Sequence, residues 1–240
     1  MRSALVIVGG VLALTSVTAS SLDAQRAPRI LVQQGQSRLQ IAAARVGVEV
    51  REFNSIPEFV RLLPQADAFV LRACEPSSEA VNAMARFIEG GKRGIFMYCG
   101  LRQSYTQINP IMIELLGVAF AAADRALWNQ DITVDIGQYL PVTSGLMLYL
   151  GNGSYNQSLP PYFDGELEIL RDATPSASVR HPLTGYEYTL GALVTRGAGQ
   201  LLVAVGTVNT GQSPFSDALF ERADNARAAE FLIGWLLRRN

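Results

Sequence analysis

Residues 87–117 constrain the fold of this chain more than any other segment. They contain the end of a helical pattern, the pair Gly90-Gly91, a short apolar run at 94–98, the pair Cys99-Gly100 and a second helical pattern. A short apolar run between two helices predicts a buried strand of a parallel sheet, because parallel strands are joined by helical crossovers. Cys99 then follows the carboxyl end of that strand, where open α/β sheets bind ligands and place nucleophiles.

Strand and helix patterns alternate along most of the chain. The alternating pattern at 48–50 is typical of an edge strand. Ser77 and Ser78 precede one helical pattern and Asp224 precedes another, and these residues suit helix N-caps. The order of the elements predicts an α/β fold with a mostly parallel, doubly wound sheet. Apolar runs predict strands at 29–33, 48–50, 67–71, 94–98, 188–194 and 201–205, and amphipathic patterns predict helices at 39–46, 57–64, 77–89 and 224–238.

Residues 118–174 interrupt this alternation. Alternating patterns at 132–134 and 167–170 predict two strands, but turn-forming residues and aromatics dominate the stretch at 150–165 between them. Glycine, proline and asparagine at this density favour loops. We therefore expect an irregular insertion, lying above the sheet, at 118–174.

The composition limits the class of protein. The chain has 240 residues, of which 49% are hydrophobic and 17% charged, so it can bury the core of one substantial α/β domain or of two small ones. The formal net charge of −1 gives no electrostatic reason to expect nucleic acid or an acidic membrane surface as a partner. Histidine, cysteine and aspartate nowhere show the spacing of a metal site, so we expect no metal and no cofactor.

The first 24 residues differ from the rest of the chain. Arg2 gives a positive start, residues 4–14 are apolar, and residues 15–24 are small and polar, which is the pattern of a secretory signal peptide. The apolar run is shorter than the roughly 20 residues of a membrane span. We expect residues 1–24 to be removed on export to the periplasm or the extracellular space, which leaves one domain at 25–240 and no stable membrane span. The alternative is a first buried strand within 4–14.

Cys74 and Cys99 are the two cysteines of the chain, and each follows a predicted strand. If these strands are neighbours in a parallel sheet, about 4.8 Å apart, a disulfide is feasible, since the Cα atoms of a cystine lie roughly 4.4–6.8 Å apart. An oxidising compartment favours such a bridge, which would leave Cys99 without a free thiol to act as a nucleophile. The sequence leaves the bridged and the free states open.

Three motifs carry a resemblance to a known superfamily. They are FIEGGKRGIFMYCG at 87–100, HPLTG at 181–185, and the last strand, loop and helix at 197–237. With these motifs the chain resembles the class I glutamine amidotransferase-like superfamily. More narrowly, it is similar to the exported relatives of unknown function near the trehalose-utilisation type and the gliding-motility accessory proteins. The resemblance implies a flavodoxin-like three-layer sandwich.

The chain departs from this superfamily at the residues that carry catalysis. A working amidotransferase has its Cys in a G-x-C-x-G elbow, but Met97 and Leu101 stand at the two glycine positions around Cys99. It also has a His-x-Glu pair after a late strand, whereas residues 206–209 contain neither type. The one histidine, His181, lies in a His-Pro turn. A thiol with a pKa of about 8.5 needs a nearby base to form a thiolate at neutral pH.

Polar residues on the loops of the same sheet edge suit ligand binding. They can hold a small carboxylate or a sugar hydroxyl, and the amino end of a helix favours an anion. The alternative is that they only brace the loops by local hydrogen bonds and ion pairs. The candidates are Arg72, Glu75, Gly100, Arg102, Gln103 and Asn209.

The sequence thus predicts an exported, non-catalytic amidotransferase-like domain. We expect it to bind a small polar or carbohydrate-like ligand, or another protein of the cell envelope. The competing hypothesis is a thiol hydrolase or amidase that uses Cys99 with His181. A third hypothesis is a structural component whose crevice is filled by its own side chains.

Overall fold

The computed structural model describes residues 27–73, 76–98, 105–121, 131–140, 145–152, 166–180, 184–205, 215 and 220–239. The strands are β1 (Arg29–Gln33), β2 (Glu49–Phe53), β3 (Ala68–Ala73), β4 (Arg93–Tyr98), β5 (Val118–Ala121), β6 (Asp131–Asp135), β7 (Met147–Asn152), β8 (Glu166–Ile169), β9 (Ala173–Arg180), β10 (Glu187–Arg196) and β11 (Gly199–Val205). The helices are α1 (Ser37–Arg45), α2 (Ile56–Leu62), α3 (Ser78–Glu89), α4 (Tyr105–Leu116), α5 (Ile136–Tyr139) and α6 (Asn225–Leu236).

The centre of the fold is a sheet whose described strands lie in the order β2-β1-β3-β4-β11-β10-β9. From β2 to β11 neighbouring strands are parallel, and β10 runs antiparallel to both of its neighbours. Strand β2 lies at the edge, which confirms the prediction from its alternating pattern. The central residues of the inner strands β1, β3 and β4 are apolar because both faces of the sheet are covered.

Helices cover both faces of the sheet. On one face, α1 and α6 pack over Ile30 and Val70. On the opposite face, α2, α3 and α4 pack over Leu31 and Phe69. Alternate residues of a strand point to opposite faces, so each inner strand contributes to two cores. This arrangement confirms the predicted flavodoxin-like three-layer sandwich.

Within the predicted insertion, the described residues form two short antiparallel ribbons, β5 with β8 and β6 with β7. The strands predicted at 132–134 and 167–170 are confirmed as β6 and β8. One contact shows how the first ribbon is held against the sheet. Phe120 of β5 stacks on Tyr98 of β4, with ring centroids 3.8 Å apart.

The two predicted helix caps have different outcomes. Ser77 is the N-cap of α3, and its hydroxyl accepts the N–H of Ala80 at 3.2 Å. Asp224 occupies the N-cap position of α6, but its side chain makes no cap bond. Its carboxylate instead accepts the N–H of Met147 at 3.0 Å and pairs with Arg227 at 3.3 Å. The carboxylate therefore binds a backbone N–H of β7 and not one of α6, and in this way Asp224 joins β7 to α6.

The sequence patterns do not predict β9, whose sequence ATPSASVR contains a proline and no apolar run. It pairs with β10 at the edge of the sheet. An edge strand tolerates a proline, because backbone N–H groups on the side without a neighbouring strand are not needed for pairing. Strand β9 depends on its pairing with β10, so no local sequence pattern predicts it.

Gly94 provides a test of the packing between β3 and β4. It lies opposite Phe69 in the register of these strands, and a Cβ atom at Gly94 would stand 2.2 Å from the Phe69 ring. We expect Gly94→Ala to lower the free energy of unfolding by about 1–3 kcal/mol, because the ring has to leave its place in the core. Urea-induced unfolding measures this change.

The double variant Gly94→Ala with Phe69→Leu is the matched control. The smaller leucine leaves room for the new methyl group, so the double variant should lose less stability than the sum of the two single variants. Strictly additive losses would contradict the contact.

Candidate functional site

The order of the strands predicts a crevice at the carboxyl edge of the sheet, between β1 and β3. The two strands are parallel neighbours, yet the helices that follow them lie on opposite faces, α1 in one core and α3 in the other. The loops after β1 and β3 therefore diverge. Open α/β sheets bind ligands at such a point of divergence.

A side chain completes the pairing of β1 and β3 at this edge. The paired positions end at Val32 and Val70. Beyond them, the backbone N–H of Arg72 donates to Oε1 of Gln33 at 2.9 Å. The glutamine amide thus takes the place of a backbone carbonyl and holds the two strand ends together below the crevice.

Arg72 brings a positive charge to the crevice. It is half-buried near the end of β3, and desolvation by this burial lowers its pKa from the usual value. A guanidinium remains protonated in proteins even so. By the alternation of the strand, its side chain leaves the sheet on the face of Val70, which is the face that α1 covers.

The turn between β1 and α1 adds a second polar group. Gln36 is the N-cap residue of α1, makes no side-chain cap bond, and is only 4% exposed. Its Oε1 is buried and has no hydrogen-bond partner. Buried polar atoms are nearly always hydrogen-bonded, so this acceptor marks a place where a ligand or a water molecule supplies a donor.

Phe220, which precedes α6 in the chain, packs near the start of α1. Phe220 is buried in the core beneath α1 and α6. The Arg38 guanidinium, at the start of α1, lies 6.0 Å from the centroid of the Phe220 ring. A cation over an aromatic face is stabilised by the ring quadrupole, so this contact helps to hold the start of α1 beside Phe220.

The strands that precede the two cysteines are neighbours. Ala73, the last residue of β3, is paired with Tyr98, the last residue of β4. Cys74 and Cys99 follow these two residues in the sequence, and both lie outside the described residues, as does His181. The expectation that the two strands lie side by side is confirmed, and the state of the two thiols stays a prediction.

Of the predicted ligand-binding residues, Arg72 is the one that the structure describes. It lies at the predicted edge, but within β3 and not on the loop after it, because the strand continues to Ala73. Gln33 and Gln36 lie at the same edge of the sheet and were missed, although the run Gln33-Gln34-Gly35-Gln36, which starts at the last residue of β1, is a local signal for them. The predicted residues Glu75, Gly100, Arg102, Gln103 and Asn209 lie outside the described residues.

The described ranges lack two further features. They bring together no group of three or more His, Cys, Asp or Glu side chains that would hold a metal ion. In the same ranges, every helix is too short or too polar to cross a membrane.

No protein-family model and no curated protein matches the sequence. Solved structures do match. The N-terminal domain of mmIFT52 is 13% identical, with a TM-score of 0.52 over 86% of this chain and 100% of that one. A cytoplasmic protein from Salmonella typhimurium LT2 is 11% identical, with a TM-score of 0.54 over 87% of this chain and 99% of its own.

A GMP synthase-like protein from Thermoplasma acidophilum matches over 89% of this chain and 97% of its own, at 10% identity and a TM-score of 0.49. At identities this low the likeness to the first two structures shows the α/β fold alone. The TM-score of the third is too low to support an assignment to the amidotransferase-like superfamily.

The bond between Gln33 and Arg72 predicts a loss of stability in Gln33→Leu. The variant removes the acceptor and leaves the N–H of Arg72 unsatisfied, so we expect the free energy of unfolding to fall by about 1–3 kcal/mol. Urea-induced unfolding is the measurement. Gln34→Leu is the control, because Gln34 is an exposed neighbour whose replacement should change stability by less than about 0.5 kcal/mol. Equal losses in the two variants would contradict the role of Gln33.

Proposed function

We propose that this protein is a non-catalytic, amidotransferase-like binding domain that holds a small polar ligand with a carboxylate group. The proposed site is the crevice between the ends of β1 and β3. The observation that carries the proposal is that the elements bordering this crevice bear three features: the half-buried Arg72, the amino end of α1, and the unpartnered Oε1 of Gln36.

Two of these features favour an anion. A guanidinium that has lost part of its hydration is stabilised by a carboxylate, and the planar fork of arginine suits two parallel hydrogen bonds. The amino end of α1 adds the positive end of the helix dipole on the same face of the sheet.

The third feature selects the rest of the ligand. The unpartnered atom of Gln36 is an oxygen, which accepts hydrogen bonds and cannot donate. A ligand that satisfies it must carry a donor as well as its carboxylate. Amino acids and hydroxy acids have both groups within a few bonds of each other, and they are the proposed ligand class.

The absence of catalysis is proposed from the sequence. Met97 and Leu101 stand where a nucleophile elbow has glycines, and His181 is the one histidine of the chain. The tripartite pattern of residues 1–24 supports export of the domain, so the ligand is proposed to be met outside the cytoplasm.

Arg72→Gln tests the proposed site. The probes are glycolate, L-lactate, L-serine, L-glutamate and L-glutamine, titrated singly into isotope-labelled protein and followed by amide chemical shifts. We expect the tightest binder of this set to lose about tenfold to hundredfold in affinity in the variant, since a charged hydrogen bond contributes about 1.5–3 kcal/mol.

Arg51→Gln is the matched control. Arg51 lies on the edge strand β2, and its guanidinium donates to Gln65 at 3.2 Å, so its replacement should leave the affinity unchanged. The amide spectrum also shows that each variant is folded. Binding of the same probe with equal affinity to the wild type and to Arg72→Gln would refute the proposed site, as would the absence of binding by all five probes.

The reactivity of Cys99 tests the proposed lack of catalysis. Alkylation by iodoacetamide at pH 7 is followed by peptide mass, in the native protein and in urea. A nucleophile in a catalytic site reacts faster than an ordinary thiol, because its thiolate is stabilised. We expect Cys99 to react more slowly in the native protein than in urea.

The same experiment on non-reduced protein distinguishes the two states in which Cys99 would be unreactive, namely a disulfide and a buried free thiol. A disulfide between Cys74 and Cys99 gives a peptide pair that appears without reduction, and a buried thiol gives none. Faster alkylation of Cys99 in the native state would instead support the thiol hydrolase that pairs it with His181.

A further inference from the structure

A second cavity lies away from this crevice, at the end of the sheet formed by β9 and β10. Strands β4 and β11 separate β10 from β3, so the cavity and the crevice are separate places on the sheet. The cavity lies between α5 and the β9–β10 ribbon and has a volume of about 580 Å³, a size typical of small-molecule sites. Its lining residues are Gln138, Pro175, Ser176, Ala177, Ser178, Glu187 and Thr189.

A glycine and a bulge build this cavity. The pairing of β9 and β10 shifts in register between Thr189 and Gly191, which is a β-bulge. A Cβ atom at Gly191 would stand 2.6 Å from the Tyr139 ring and 2.8 Å from the Ser176 hydroxyl. Because Gly191 has no side chain, the Tyr139 ring of α5 packs directly on β10, and the Ser176 hydroxyl fits beside that ring. Bulges often redirect side chains next to functional sites.

Five of the seven lining residues are polar, and the described ones include no lysine or arginine. Three of the five are hydroxyl residues, which donate and accept hydrogen bonds, and the amide of Gln138 does both as well. The one charged lining group is already compensated. Glu187 accepts a hydrogen bond from the Ser178 hydroxyl and lies 3.6 Å from the Arg180 guanidinium.

One of the hydroxyls is unsatisfied. The Oγ atom of Ser176 is buried and has no hydrogen-bond partner, although its residue lines the cavity. A buried hydroxyl without a partner is destabilising, so a hydrogen bond from a further group would stabilise this side chain.

We infer that this cavity binds a neutral polyhydroxylated ligand, such as a mono- or disaccharide. Each sugar hydroxyl donates and accepts, which matches a lining of hydroxyls, one amide and one carboxylate. A lining without a cation and with Glu187 disfavours anions, and the pairing of Glu187 with Arg180 removes the preference for a cation. This inference concerns a place and a ligand class separate from the proposed function, and either holds without the other.

Two variants and a control test the inference. The probes are D-glucose, D-galactose, D-mannose, maltose and cellobiose, with D-glucuronate and D-glucosamine as charged counterparts. Binding is measured from amide chemical shifts in titrations up to millimolar concentration. Ser176→Ala and Thr189→Val each remove one lining hydroxyl, and Thr174→Val removes an exposed hydroxyl of β9 outside the cavity.

We expect at least one neutral sugar to bind more tightly than either charged counterpart. Ser176→Ala and Thr189→Val should weaken it about twofold to tenfold, the effect of one neutral hydrogen bond, and Thr174→Val should not weaken it. Ser176→Ala should also leave Tm unchanged or raise it, because it removes an unsatisfied buried hydroxyl. A merely structural role would lower Tm and affinity together.

Three outcomes would overturn the inference. They are no binding by any neutral sugar, tighter binding of D-glucuronate or D-glucosamine than of the neutral sugars, and equal affinity in Ser176→Ala, Thr189→Val and the wild type. Binding that Arg72→Gln weakens, and these two variants do not, would assign the sugar to the crevice instead.

Discussion

The burial of the parallel sheet on both faces is the constraint on which the rest of this structure depends. Parallel neighbours need crossovers, and the crossovers carry helices that have to cover apolar side chains on either face. In this chain β1 and β3 each direct side chains into two cores, so both faces need helices. The crossover after β1 covers one face and the crossover after β3 covers the other. The crevice between their first turns is a consequence of that division.

The same packing determines the chemistry at the edge of the sheet. Arg72 and Gln36 lie where the core meets solvent: burial removes part of the hydration of the Arg72 guanidinium, and Oε1 of Gln36 is buried without a hydrogen-bond partner. Groups in this state favour a ligand of matching polarity. The cavity on β9 and β10 arises differently, from a bulge and from Gly191, which admits Tyr139 and Ser176. Both places pair a packed apolar layer with one unsatisfied buried oxygen.

The strands with apolar runs could be predicted because the run itself reports burial on both faces. Strand β9 could not, since a proline-containing polar segment becomes a strand only beside β10. At the candidate site, Arg72 could be predicted from its place near the end of a strand. Gln33 was missed because its role, accepting the N–H of Arg72, joins residues 39 positions apart. The neighbouring residues predict that the Asp224 side chain caps a helix, yet its carboxylate accepts a hydrogen bond from the N–H of Met147 instead.

The sequence by itself determined the class of fold, the edge position of β2 and the presence of Met97 and Leu101 on either side of Cys99, since each of these can be read from neighbouring residues. Only the tertiary structure decided that β11 lies beside β4, that α1 and α3 cover opposite faces, and that Ser176 meets Gly191 and Tyr139. These contacts join residues far apart in the chain. They follow from the order of the strands in the sheet, which no local pattern of side chains specifies.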